Sequence, residues 1–142
     1  MTQNKSVNAN PSLMSHISIG TNRFHEAVSF YDKILSVLGA RRILDFPEAV
    51  AYGKVFPEFW VHPPHDGEAA SVGNGTHFAF LADSPESVDR FYSAAIRAGA
   101  TPEGEPGARP QYGDAYYGCF LRDPDGHKIE AMHWDERKAQ PA

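Results

Sequence analysis

The chain repeats itself at an offset of 60 residues. Aligning Gly39-Ala40 with Gly99-Ala100 places Glu26 on Glu86, Val28 on Val88, Tyr31 on Phe91 and Leu38 on Ala98. Strand, loop, helix and closing Gly-Ala recur in the same order, so each half of the fold has to satisfy the same plan. The plan reads as strand 14–20, helix 23–38 and strands 41–46, 49–55 and 58–62, then a Pro/Gly-rich link. The second half reads as strand 76–82, helix 84–98, a weak strand near 101–103, a long Gly/Pro loop, and strands 115–122 and 127–133. Ser84 suits the cap and Pro85 the first turn of the second helix, while Gly39 and Gly99 suit the left-handed residue that ends a helix. Asp123-Pro124-Asp125-Gly126 has the chemistry of a tight turn between the last two strands, a structural role.

Each half opens with a histidine in an apolar, strand-like run. His16 lies in Met14-Ser15-His16-Ile17-Ser18-Ile19 and His77 in Thr76-His77-Phe78-Ala79-Phe80-Leu81, and Glu130 stands in the closing run Lys128-Ile129-Glu130-Ala131-Met132. Alternate side chains on a strand face opposite sides, so a polar residue among apolar ones points to a cavity while its neighbours pack. Two imidazoles and a carboxylate are a donor set for a divalent metal. Their separation in sequence is too long for a local motif, so only the fold brings them together.

With 142 residues the chain suits one compact domain, or two small modules sharing a core. A formal charge of -5 and the lack of a basic cluster argue against a nucleic-acid partner. No apolar run approaches the ~20 residues of a membrane span. The polar, Asn-rich stretch from Met1 to Ser12 lacks the apolar core of a signal peptide, which leads us to expect a cytoplasmic protein. The expected layout is a disordered tail at 1–12, a domain at 13–134 (module one 13–62, linker 63–75, module two 76–134) and a second tail at 135–142. Cys119 stands alone and reads as a packed strand residue, without an intrachain disulfide or a nucleophile signature. His25, His65, His127 and His133 read as surface residues.

Paired βαβββ modules, a histidine opening each, and the closing Phe-Leu-Arg-Asp-Pro-Asp-Gly-His-Lys-Ile-Glu resemble the vicinal oxygen chelate superfamily of lactoylglutathione lyases, bleomycin-resistance proteins, fosfomycin-resistance enzymes and extradiol dioxygenases. The resemblance covers about residues 13 to 134, and its most specific piece is Arg122 to Glu130. It implies an α+β fold in which two βαβββ modules form an open, cupped mixed β-barrel with helices outside. It also implies a metal between the halves, held by His16, His77 and Glu130, and a homodimer. The metal is Fe, Zn, Ni or Mn by the chemistry of its donors.

One family position departs. Subtracting 70 from Glu130 places Trp60 where lactoylglutathione lyase usually has a second glutamate, which argues against that specific isomerisation. A slip of two residues offers His62 or Glu58 instead. The pocket is expected to be lined by Trp60 and by the loop carrying Arg109, Tyr112, Tyr116 and Tyr117: a guanidinium fork for a carboxylate or phosphate, and apolar rings with hydroxyl tips. Two functions follow. One is a metal-dependent lyase, isomerase or dioxygenase that chelates a small oxygenated metabolite through two neighbouring oxygens and activates it electrophilically. The other is a metal-free binding protein of the bleomycin-resistance kind that sequesters a drug or metabolite. Fosfomycin-type thiol transfer is a weaker third, for want of a potassium loop or a cationic cluster beyond Arg109 and Arg122.

Overall fold

The computed structural model describes residues 11–139; of the expected tails, 1–12 and 135–142, residues 1–10 and 140–142 lie outside the described residues. Each half contributes one helix and one sheet. Module one consists of β1 (Ile17–Gly20), α1 (Phe24–Val37), β2 (Arg41–Phe46), β3 (Ala49–Gly53) and β4 (Phe59–His62). Module two consists of β5 (His77–Leu81), α2 (Pro85–Arg97), β6 (Thr101–Ala108), β7 (Tyr116–Arg122) and β8 (Lys128–Trp134). The two four-stranded sheets have the orders β1-β4-β3-β2 and β5-β8-β7-β6, with one parallel pair in each. This is the expected α+β architecture of two βαβββ modules with cupped, mixed sheets.

The helices form where apolar residues recur every three to four positions. Ala27, Phe30, Tyr31, Ile34 and Leu35 of α1, and Val88, Phe91 and Ala95 of α2, are buried beneath the sheets. Ser84 caps α2, its hydroxyl accepting from the Ser87 amide, and Gly39 and Gly99 close their helices at φ +83° and +107°. On β5, β7 and β8 the core-packing residues alternate along the strand. Phe78, Phe80, Ile129, Ala131, Cys119 and Leu121 pack into the core, leaving the intervening residues on an open face. Phe59 of β4 carries the core across the module boundary, with its ring 5.1 Å from Phe80 and 6.1 Å from Phe78.

The Asp123–Gly126 turn does more than join two strands. Its tight geometry is present, with the Gly126 amide donating to Asp123 O at 2.9 Å and Gly126 at φ +100°. Its carboxylates also hold module one. The Tyr31 hydroxyl donates to Asp123 Oδ2 at 2.6 Å, and the Thr21 hydroxyl donates to Asp125 Oδ2. Burial, then the adjacent Asp123 carboxylate, pushes the Tyr31 phenol well above its ordinary value. His127, expected at the surface, is buried instead, and its Nε2 lies 2.7 Å from Gly20 O on β1. The sequence hid this role because the turn residues face a partner 104 positions away.

One further expectation is corrected. The weak strand near 101–103 extends to Ala108 despite Pro102 and Pro106. As an edge strand it pairs on one side only and is bulged between Pro102 and Gly104 and between Gly104 and Gly107, which is how a sheet accommodates proline. In the segment expected as the second tail, 135–142, the Asp135 amide donates to Ala115 O at 2.9 Å and a 3-10 turn spans Glu136–Lys138.

Candidate functional site

The two parallel strand pairs repeat one register. Ser18 lies beside Trp60 across β1 and β4, and Ala79 lies beside Glu130 across β5 and β8. His16 and His77 therefore stand two residues before equivalent positions, and Trp60 occupies the place in module one that Glu130 occupies in module two. β1 and β5 are both edge strands. A cleft of about 680 Å³ runs between them, lined by both histidines together with Met14, Tyr52, Phe59 and Phe78.

Glu130 organises the open face of module two. Its side chain is nearly buried, and both oxygens are engaged. Oε1 lies 3.0 Å from His77 Nε2, and Oε2 accepts from the Tyr116 hydroxyl at 2.7 Å. Tyr116 reaches it by lying along β7 over Gly118, where a Cβ would overlap the phenol. Burial, then the hydrogen bond to Glu130, raises the Tyr116 phenol far above its ordinary value, so it stays a proton donor at neutral pH. The ring of Tyr112 packs edge-on against Tyr116 at 5.1 Å. Arg109 approaches from the end of β6: its Nη2 donates to Glu105 O at 2.7 Å, and its Cζ lies 5.7 Å from the centre of the Phe120 ring. The Lys128 Nζ lies 5.2 Å from the same centre, and the His77 ring is 6.3 Å away.

Of the eight expected site residues, His77, Glu130, Tyr116, Tyr112 and Arg109 share this face. Three lie elsewhere. His16 lines the cleft, but its Nδ1 is 2.9 Å from Ser15 Oγ, and among the described residues no three of His, Cys, Asp and Glu gather as a metal-holding group. Trp60 is on module one, stacked parallel to Phe46 at 6.5 Å. Tyr117 turns to the helix side, where its hydroxyl donates to Asp89 at 2.7 Å. Adjacent strand residues cannot share a face, so Tyr116 and Tyr117 exclude one another. Lys128 and Phe120 were missed, although their even spacing from Glu130 and Tyr116 marks them for the same face. His62, the alternative ligand, has its Nδ1 2.7 Å from Pro63 O. His25 and His65 are exposed, and His133 is turned toward Ala82 O at 3.0 Å. Cys119 is buried, and desolvation pushes its thiol up to about 11, which suits a packing residue.

His77 and Glu130 pass a simple fit test for a cation. An imidazole and a carboxylate brought to 3.0 Å of one another are of the donor types that a divalent cation takes. The same spacing also suits a direct hydrogen bond. One chain thus presents two of three donors together.

The model of the Glyoxalase/Bleomycin resistance protein/Dioxygenase superfamily matches residues 13–131. A solved glyoxalase/bleomycin resistance protein from Albidiferax ferrireducens is 37% identical, with a TM-score of 0.78 over 86% of this chain and 98% of that one. A lactoylglutathione lyase from Agrobacterium tumefaciens is 20% identical, with a TM-score of 0.64 over 88% of this chain and 96% of that one. A glyoxalase-related enzyme from Fulvimarina pelagi is 18% identical, with a TM-score of 0.66 over 87% of this chain and 88% of that one. At these identities the last two show likeness of fold alone. Among curated proteins none matches. No helix among the described residues is long and apolar enough to cross a membrane. Modules, register and closing motif agree with the family match: the chain belongs to the glyoxalase/bleomycin resistance protein/dioxygenase superfamily.

Proposed function

We propose that the protein is a metal-dependent, glyoxalase-like enzyme that chelates a small oxygenated metabolite. The observation that carries this reading is the His77–Glu130 pair at 3.0 Å, with His77 and His16 both lining one cleft. His77 Nε2 and Glu130 Oε1 would hold the cation, and His16 would be its third ligand. Such a cation supplies Lewis acidity toward two neighbouring substrate oxygens. Iron directs attention to dioxygenase chemistry; zinc, nickel or manganese directs it to lyase or isomerase chemistry.

The chain's own groups do the rest. Tyr116 fixes one Glu130 oxygen and so presents the other, the orienting task of a residue behind a ligand. Tyr112 and Trp60 offer flat apolar walls, and Arg109 offers donors to an anionic group. Trp60 has no lone pair to give a metal, so a second carboxylate able to move a substrate proton is missing from its place. This weighs against the thiohemiacetal isomerisation and leaves Glu130 as the carboxylate of the site. By analogy with the family we propose a cytoplasmic homodimer, with the barrel halves closing within one chain or by exchange between two.

The second reading, a metal-free binding protein, is favoured by one feature: each Glu130 oxygen already has a hydrogen-bond partner within the chain, His77 or Tyr116. Elemental analysis of protein purified without chelator separates the two, run beside the triple variant His16→Ala, His77→Ala, Glu130→Ala. Near one equivalent of metal, lost in the variant, is the expected result. No metal in either protein, even after reloading, overturns the enzyme reading and turns the search to ligands of the aromatic cleft.

A further inference from the structure

We propose that the open face of module two carries an oxyanion subsite formed by Arg109 and Lys128 across Phe120, so that the substrate is an anion with its charge held there. The identification of that anion as the chelating substrate rests on the metal-dependent reading; the subsite does not.

Four observations converge on it. First, Arg109, just past the end of β6, and Lys128 on β8 both approach the Phe120 ring, at 5.7 and 5.2 Å from its centre. The ring attracts each cation through its negative face, and two positive charges drawn to one aromatic repel each other, a cost that an oxyanion in contact with both would offset. Second, neither cation forms an ion pair among the described residues, whereas Arg122 on the adjoining strand is neutralised by Glu103 at 2.8 Å. Third, β6 is shaped around the guanidinium. A Cβ at Gly104 would stand 3.1 Å from Arg109 Nη2 and 3.1 Å from Phe120 Cδ2, and one at Gly107 would stand 3.3 Å from Nη1. The two glycines leave a slot in which the planar group lies flat. Fourth, the slot orients it, because Nη2 donates to Glu105 O at 2.7 Å and Nη1 to Ala108 O at 3.4 Å. With two carbonyls using part of a five-donor fork, the remaining N–H groups are held in a fixed direction.

The location adds the functional meaning. Phe120 lies opposite Glu130 across β7 and β8, and Lys128 lies opposite His77 across β8 and β5. The subsite therefore borders the proposed cation ligands, and a small molecule could place its chelating oxygens at His77 and Glu130 and its charged group on the two cations. In a chain with 18 acidic and 13 basic residues the overall field repels anions, so capture of one needs this kind of local arrangement. Carboxylate and phosphate share the required chemistry: oxygens that accept from a fork and an ammonium together.

The test uses the full chain after treatment with chelator, titrated by calorimetry with glutarate and, separately, with inorganic phosphate. At least one probe should bind the unaltered chain, and which one it is names the oxyanion. Arg109→Gln should weaken binding about tenfold, and Lys128→Gln by a smaller factor. Gly104→Ala should weaken it too with every charge kept, because the added methyl displaces the fork. Glu130→Gln should bind at least as tightly, since it removes a negative neighbour. If neither probe binds, or if Arg109→Gln and Lys128→Gln both bind like the unaltered chain, the subsite is refuted. Metal content, measured apart from this titration, decides the enzyme reading: oxyanion binding without metal leaves the subsite standing and removes the enzyme, and metal without oxyanion binding does the reverse.

Discussion

The two modules share one backbone plan and carry opposite chemistry on it. In module one the row across β1, β4 and β3 reads Ser18, Trp60, Ala51; in module two the equivalent row across β5, β8 and β7 reads Ala79, Glu130, Phe120. Bulk and charge have changed places. Trp60 stacks on Phe46 and forms an apolar wall, while Glu130 gathers His77 and Tyr116 into a polar cluster. The helix-facing sides of both modules stay alike, since Val28 and Val88, and Tyr31 and Phe91, are all buried. Packing constrains the inner side in both copies, but the open side was free to diverge.

The largest effect should come from setting the two histidines against each other. His77→Ala should lose metal by about a hundredfold or more in affinity, with the fold intact, whereas His16→Ala should lose less because His16 is held by its neighbour Ser15 and not by Glu130. Equal losses in competition with a chelating dye show that both rows present their histidines alike. Next, Tyr116→Phe, which unpins Glu130, should weaken metal binding about tenfold. Trp60→Glu is the reciprocal change and should raise affinity if the two rows face one ion; no change separates them.

The clamp between the modules comes next. Tyr31→Phe leaves a nearly buried Asp123 oxygen without its donor and should cost about 1–3 kcal/mol in urea unfolding. Asp123 also sets a pH dependence. Burial raises its carboxyl above the ordinary value, with the Tyr31 hydrogen bond opposing. In the window from the unfolded value, about 3.9, up to the raised folded value, the folded state binds more protons than the unfolded one. Stability should therefore fall as pH rises through that window, and Asp123→Asn should flatten the slope. Identical slopes in the two proteins would exclude Asp123 as the source. Smallest of all, Tyr117→Phe loses only a largely exposed bond to Asp89 and should change stability by less than about 0.5 kcal/mol and leave metal binding alone.

What sequence alone determined here is local or repeated. Alternation of apolar residues, the three-to-four spacing in both helices, Ser84 as cap and Gly39 and Gly99 as terminators all act within a few residues of themselves, so their consequences can be read where they stand. The duplication then carried the reading over long range, because one register solved once is solved twice: subtracting 70 from Glu130 reached Trp60, the residue the strands put there. Only tertiary structure decided what depends on a partner far away in the chain. It made His127 a buried link to Gly20 and turned the Asp123–Gly126 hairpin into a clamp on Tyr31 and Thr21. It carried β6 past two prolines because an edge strand needs hydrogen bonds on one side only. It also chose Tyr116 over its neighbour Tyr117, and recruited Lys128 and Phe120, through the pairing of β7 with β8. Such choices follow from strand register and module docking, which arise from the packing of the whole core and leave no mark on the neighbouring residues in the chain.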